Sequence, residues 1–105
     1  MPVIILKPSE RMVGTPGYPS LADQLESRVA SGYAANAARI RNQCDDVILT
    51  DEKDAWRASI TDVTDLGPRV AGGKSRVEIR FDIPKRIPIS NVPVMPSGRN
   101  NVRYG

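Results

Sequence analysis

The residues that could do chemistry in this chain are few, and their spacing argues against each use. The sequence of 105 residues contains no histidine and a single cysteine, Cys44. Without histidine, no nucleophile and base pairing of the Ser-His or Cys-His type can form. A zinc site of Cys/His type is excluded on the same ground, and Cys44 has no partner for an internal disulfide. Asp51, Glu52 and Asp54 crowd around Lys53, but an EF-hand loop starting at Asp51 needs glycine at its sixth position, where Trp56 stands. The cluster reads as a solvated acidic turn. Gly73-Lys74-Ser75 resembles the end of a phosphate loop, yet the first glycine of that motif would fall at Pro68, and a strand pattern follows where a helix is required. The chain therefore reads as non-enzymatic, with no catalytic, metal-ligating or cofactor-binding residue and no cofactor.

What remains is charge and apolar surface. Residues 45–65 carry seven acids (Asp45, Asp46, Asp51, Glu52, Asp54, Asp62, Asp65) against Lys53 and Arg57, a net of −5. Residues 74–105 carry seven bases (Lys74, Arg76, Arg80, Lys85, Arg86, Arg99, Arg103) against Glu78 and Asp82, a net of +5. The plain reading is two solvated faces of one domain. The sharper one is an acidic face on one copy that meets a basic tail on another, a head-to-tail association.

The C-terminal stretch sharpens that choice. Prolines at 84, 88, 93 and 96 forbid a central strand or a useful helix. Between and beside them lie Ile87, Ile89, Val92, Val94 and Met95, where a plain flexible tail would carry polar residues. Burying those five side chains contributes roughly 7–15 kcal/mol in total, at about 1.5–3 each, less than the roughly 20–40 kcal/mol needed to order about 20 arm residues. The arm needs a preformed surface, either its own sheet edge or a neighbouring subunit that it augments. The neighbour is the expectation adopted. The five apolar residues are the candidate partner-binding set, and Lys85, Arg86, Arg99 and Arg103 the basic set for a protein or nucleic-acid partner.

The elements that would position these residues follow from periodicity. A chain of this length supports one core, with roughly two thirds of the unfolded surface buried. Ser20 reads as an N-cap with Asp23 in the first turn, and Leu21, Leu25, Val29, Tyr33, Ala37, Ile40 and Cys44 recur at steps of three or four. That spacing predicts one helix ending near Gln43. Val47-Ile48-Leu49-Thr50 reads as a strand. Residues 51–64 fit a helix or a strand, and the dense β-branched residues Ile60, Thr61, Val63 and Thr64 favour the strand. Arg76 to Ile83 alternates, placing Val77, Ile79, Phe81 and Ile83 on one face. Residues 66–74 read as a projecting loop.

The expected architecture is α+β, one long helix packed on a small antiparallel sheet, with an extended N-terminal arm (1–19), a core domain (20–83) and an extended proline-rich C-terminal arm (84–105). Val3-Ile4-Ile5-Leu6 is too short for a membrane span or a signal-peptide core, so the chain is expected to be made in a cytoplasm and to meet no membrane. The expected function is structural: a homo-oligomer or larger repeated assembly whose arms clasp neighbouring subunits, of the capsid decoration, cementing or head-tail connector type, incorporated into a virion. The alternative is a small basic nucleic-acid-binding regulator that uses the C-terminal arm.

Overall fold

The computed structural model describes residues 3–8, 21–51, 53–68, 71–73, 75–92 and 102–104. Seven strands and two short helices follow in the order β1 (Val3–Leu6), α1 (Leu21–Ser27), β2 (Val29–Ala34), α2 (Ala37–Gln43), β3 (Asp46–Thr50), β4 (Ala55–Pro68), β5 (Ser75–Phe81), β6 (Lys85–Ile87) and β7 (Val102–Tyr104), with a 3-10 turn at Ile89–Asn91 before β7. They form one sheet in the order β2-β5-β4-β3-β1-β7, with β6 attached to β4. β1 runs parallel to β3, and the other pairings are antiparallel. This corrects the expectation of one long helix on a small antiparallel sheet: there are two helices of seven residues and a seven-stranded mixed sheet.

The helix that periodicity joined is broken at Arg28. That residue adopts a positive φ of 59°, a left-handed stop that costs a non-glycine residue roughly 1–2 kcal/mol. Its carbonyl accepts the Phe81 N–H at 3.1 Å, which starts the pairing of β2 with β5. The ladder then shifts register between Ser31 and Tyr33, at Gly32, whose φ of 85° suits a bulge. Ala30 pairs with Ile79 and Tyr33 with Val77, so two core-facing residues of a strand stand three apart and imitate a helical step. Asn36 restarts the helix as N-cap of α2, its side chain accepting the Arg39 N–H at 3.0 Å. The N-cap expected at Ser20 lies outside the described residues.

Both faces of the sheet carry a core. On the helix side, Ile4, Leu6, Ala30, Ile40, Val47, Leu49, Val63, Val77, Ile79 and Phe81 are buried together, with Leu21, Leu25 and Tyr33 packed against them. On the other side Val3, Ile5, Ile48 and Ala55 form a second cluster, against which Ile87 and Val92 pack. β1 feeds both, because alternate side chains of a strand point to opposite faces. Residues 51–64 resolve in favour of the strand: β4 begins at Ala55, and Asp51 closes the tight β3–β4 turn by accepting the N–H groups of Lys53 (2.9 Å) and Asp54 (2.7 Å). Desolvation opposes ionisation of Asp51, but these backbone donors outweigh it and hold its carboxyl below the usual range. Leu66 to Pro68, expected in a loop, belong to β4 and pair with β5 as far as Ser75.

One polar pair lies within this packing. The Tyr33 hydroxyl donates to Oε1 of the buried Gln24 at 2.9 Å. Burial pushes the Tyr33 hydroxyl up to about 12. A phenol that is harder to ionise in the folded state stabilises the fold fully below its unfolded value near 10, and the contribution is lost as pH rises through about 12. We expect stability to fall by about 2 kcal/mol across that window. Tyr33→Phe should flatten the fall while costing about 1 kcal/mol at neutral pH for the lost hydrogen bond. Urea midpoints of both chains between pH 8 and roughly pH 12 check this.

Candidate functional site

β4 is longer than its neighbours, and its midpoint is where the surface becomes uneven. Its first half, Ala55 to Ser59, lies between β3 and β6, whereas its second half pairs with β5. β5 and β6 run in line along the same edge of β4, interrupted between Phe81, which pairs with Ile60, and Lys85, which pairs with Arg57. On the opposite edge β3 begins at Asp46, paired with Ser59, and the preceding residues turn away toward α2. Beyond that point the edge of β4 has no β3 beside it.

A cleft of about 330 Å³ occupies this place, lined by Ile60, Thr61 and Val63 of β4 with Arg41, Cys44, Asp45 and Asp62 around them. The local hydrogen bonds explain its shape. Ile60 N–H donates to the Asp45 carbonyl at 2.9 Å, the last backbone bond on this side. The Val63 carbonyl points away from β5 and accepts from the Arg41 guanidinium, through Nε at 3.1 Å and through Nη2. Arg41 thus covers part of an edge that would otherwise offer its backbone to another chain. The Cys44 thiol is buried at the cleft wall; desolvation pushes its pKa up, with Asp45 adding to the shift and Arg39 opposing it, so it is held as thiol and not as the nucleophilic thiolate.

Across β4 the interruption between β5 and β6 exposes Ile83, whose accessibility is 61%. Asp82 N–H donates to the Ser59 carbonyl at 2.9 Å, and the Asp82 carboxylate accepts the Ile83 N–H at 2.7 Å, taking that donor out of the ladder. Pro84 follows, with no N–H to give. Ile83 was expected on the core face with Val77, Ile79 and Phe81. Those three are buried, but the break in the strand turns Ile83 outward. Two rows further along, Arg86 pairs with the Asp54 carboxylate and lies 6.0 Å from the centre of the Trp56 ring. Trp56, the chain's one tryptophan, is half-buried and packs into neither core cluster.

The residues singled out from sequence are dispersed. Ile87 is in β6 and packs with Val92 on the second core cluster, while Ile89 is exposed at 38% in the 3-10 turn. Val94, Met95 and Arg99 lie outside the described residues. Lys85 and Arg86 are neighbours on β6 and so point to opposite faces. Arg103 is on β7, at the far side of the sheet. It does share a row with Lys85: Arg103 pairs with Ile5, Ile5 with Ile48, Ile48 with Arg57 and Arg57 with Lys85. Four strand spacings separate the ends of that row, roughly 19 Å.

Periodicity gave no hint of the cleft, because Arg41, Asp45 and Asp62 become neighbours only through the β3–β4 pairing. The turn at Ile83 did have a signal, since the residue before a proline is restricted and β5 could not continue through Pro84. Of the grouped acids, Asp54 is taken by Arg86, and Asp46 by Arg57 at 2.7 Å. Among the described residues no helix is long and apolar enough to cross a membrane. No protein-family model, curated protein or solved structure matches the chain.

Proposed function

We propose that the chain is a non-enzymatic structural protein that binds other protein subunits within a larger assembly, of the capsid decoration, cementing or head-tail connector type. The observation that carries this reading is the surface around the β4 midpoint. Ile83 stands out into solvent just before β6, and Trp56 lies next to Arg86 outside both cores. An exposed aliphatic side chain near an arginine stacked by a half-buried tryptophan is the composition of a protein-binding surface. Asp51 is engaged in a turn, and Asp46 and Asp54 in ion pairs. Synthesis in a cytoplasm and incorporation into a virion belong to the same proposal.

The nucleic-acid reading keeps one observation in its favour, the row that joins Arg103, Arg57 and Lys85 across the sheet. Its cations are spread over about 19 Å, and Arg57 is already paired with Asp46. Sedimentation velocity of the intact chain at low and high salt, alone and with a DNA duplex, separates the two. Self-association without a DNA complex is the expected result. A monomer that binds the duplex with steep salt dependence would replace the assembly reading with the nucleic-acid one.

A further inference from the structure

We propose that copies of this chain join head to tail, Ile83 of one copy entering the cleft between Asp45, Asp62 and Val63 of the next. The inference rests on the assembly reading above and supplies its surface. Its basis is a complementarity between two features on opposite edges of one strand. One is a branched apolar side chain held out by its own backbone: Asp82 takes the Ile83 N–H and Pro84 ends the ladder. The other is an open cleft of about 330 Å³ whose lining includes Ile60 and Val63.

Each feature carries charges of both signs, and acids outnumber bases at the cleft. Beside Ile83 stand Lys85, Arg86 and Asp82, of which Arg86 is paired with Asp54 and Asp82 is turned onto the Ile83 N–H. Around the cleft stand Asp45, Asp62 and Arg41, of which Arg41 is held on the Val63 carbonyl. Docking sets Lys85 against the rim acids Asp45 and Asp62. Within one copy β4 separates the projecting residue from the cleft, so neither can satisfy the other. Each copy is left with one donor side and one acceptor side, and such a heterologous contact generates a ring or an open chain.

The test uses the intact protein and two variants at exposed positions, Ile83→Ser, which removes the projection, and Asp62→Lys, which reverses the cleft rim. Asp45→Lys serves as a second rim variant should Asp62→Lys disturb the ladder beside Arg80. Sedimentation from micromolar to near-millimolar concentration is expected to give species larger than a dimer for the parent chain, and association weakened about tenfold or more for each variant alone. An equal mixture of Ile83→Ser and Asp62→Lys retains one intact contact per pair, and it should form a dimer of parental strength that grows no further. Variants that associate as the parent does would overturn this surface while leaving the assembly reading standing. A parent chain that stays monomeric throughout would overturn both.

Discussion

A chain lacking its first seven residues is expected to lose cooperative unfolding altogether. Those residues contain β1, which lies between β3 and β7 in the sheet. Ile4, Ile5 and Leu6 are fully buried and Val3 nearly so, with Ile4 and Leu6 in the helix-side core and Val3 and Ile5 in the other. Four buried aliphatic side chains contribute roughly 6–12 kcal/mol at about 1.5–3 each, as much as the whole net stability of a typical domain. Their removal also leaves β7 without its partner and turns β3 into an edge. Leu6→Ala alone should cost about 2–5 kcal/mol. Urea unfolding followed by far-UV circular dichroism checks both variants. A truncated chain that keeps the parental midpoint would make the segment an arm after all.

The second large effect is expected at the other end. A chain that stops at Ile83 loses β6, β7 and the segment carrying Val92, so Ile5, Ile48 and Ala55 lose their cover and the buried Val102 is removed. Loss of Ile87, Val92 and Val102 corresponds to roughly 4–9 kcal/mol, an upper figure because Ile87 and Val92 are only partly buried. We expect this chain to be partly unfolded at room temperature and to bind a dye that reports exposed apolar surface. A cooperative thermal transition close to that of the intact chain would instead mean that residues 84–105 contribute little to the fold.

Both expectations reverse what the sequence suggests about the termini, and the reasons are specific. Val3-Ile4-Ile5-Leu6 is a continuous apolar run, the pattern of a strand buried on both faces. The sequence reads as a short strand at the head of an extended arm, because nothing local announces a parallel partner more than forty residues away at Asp46 to Leu49. Val102-Arg103-Tyr104 alternates as an edge strand should, but three residues are too few to carry a signal. The prolines at 84 and 88 mark where β6 starts and stops; they do not exclude a strand at the sheet margin, where a missing donor is tolerated.

The middle of the chain was more legible. β3 and the buried face of β5 follow from β-branched and alternating residues, and β4 from the density of β-branched side chains. The single helix expected ahead of β3 is a helix–strand–helix segment in which the Gly32 bulge and the Arg28 stop produce spacings that one helix would also produce. The candidate site was hardly legible. Its cleft depends on where β3 ends against β4, a tertiary fact, and its projecting residue on a break that a regular alternation conceals.

The measurement that bears most directly on the proposed association is amide hydrogen exchange of the intact chain at low and high protein concentration, read residue by residue. The account expects protection that grows with concentration at two places together, Thr61 to Val63 along the cleft and Ile83 to Arg86 on the opposite side of β4. Growth of protection along the outer edges of β2 or β7, with these two segments unchanged, would contradict it.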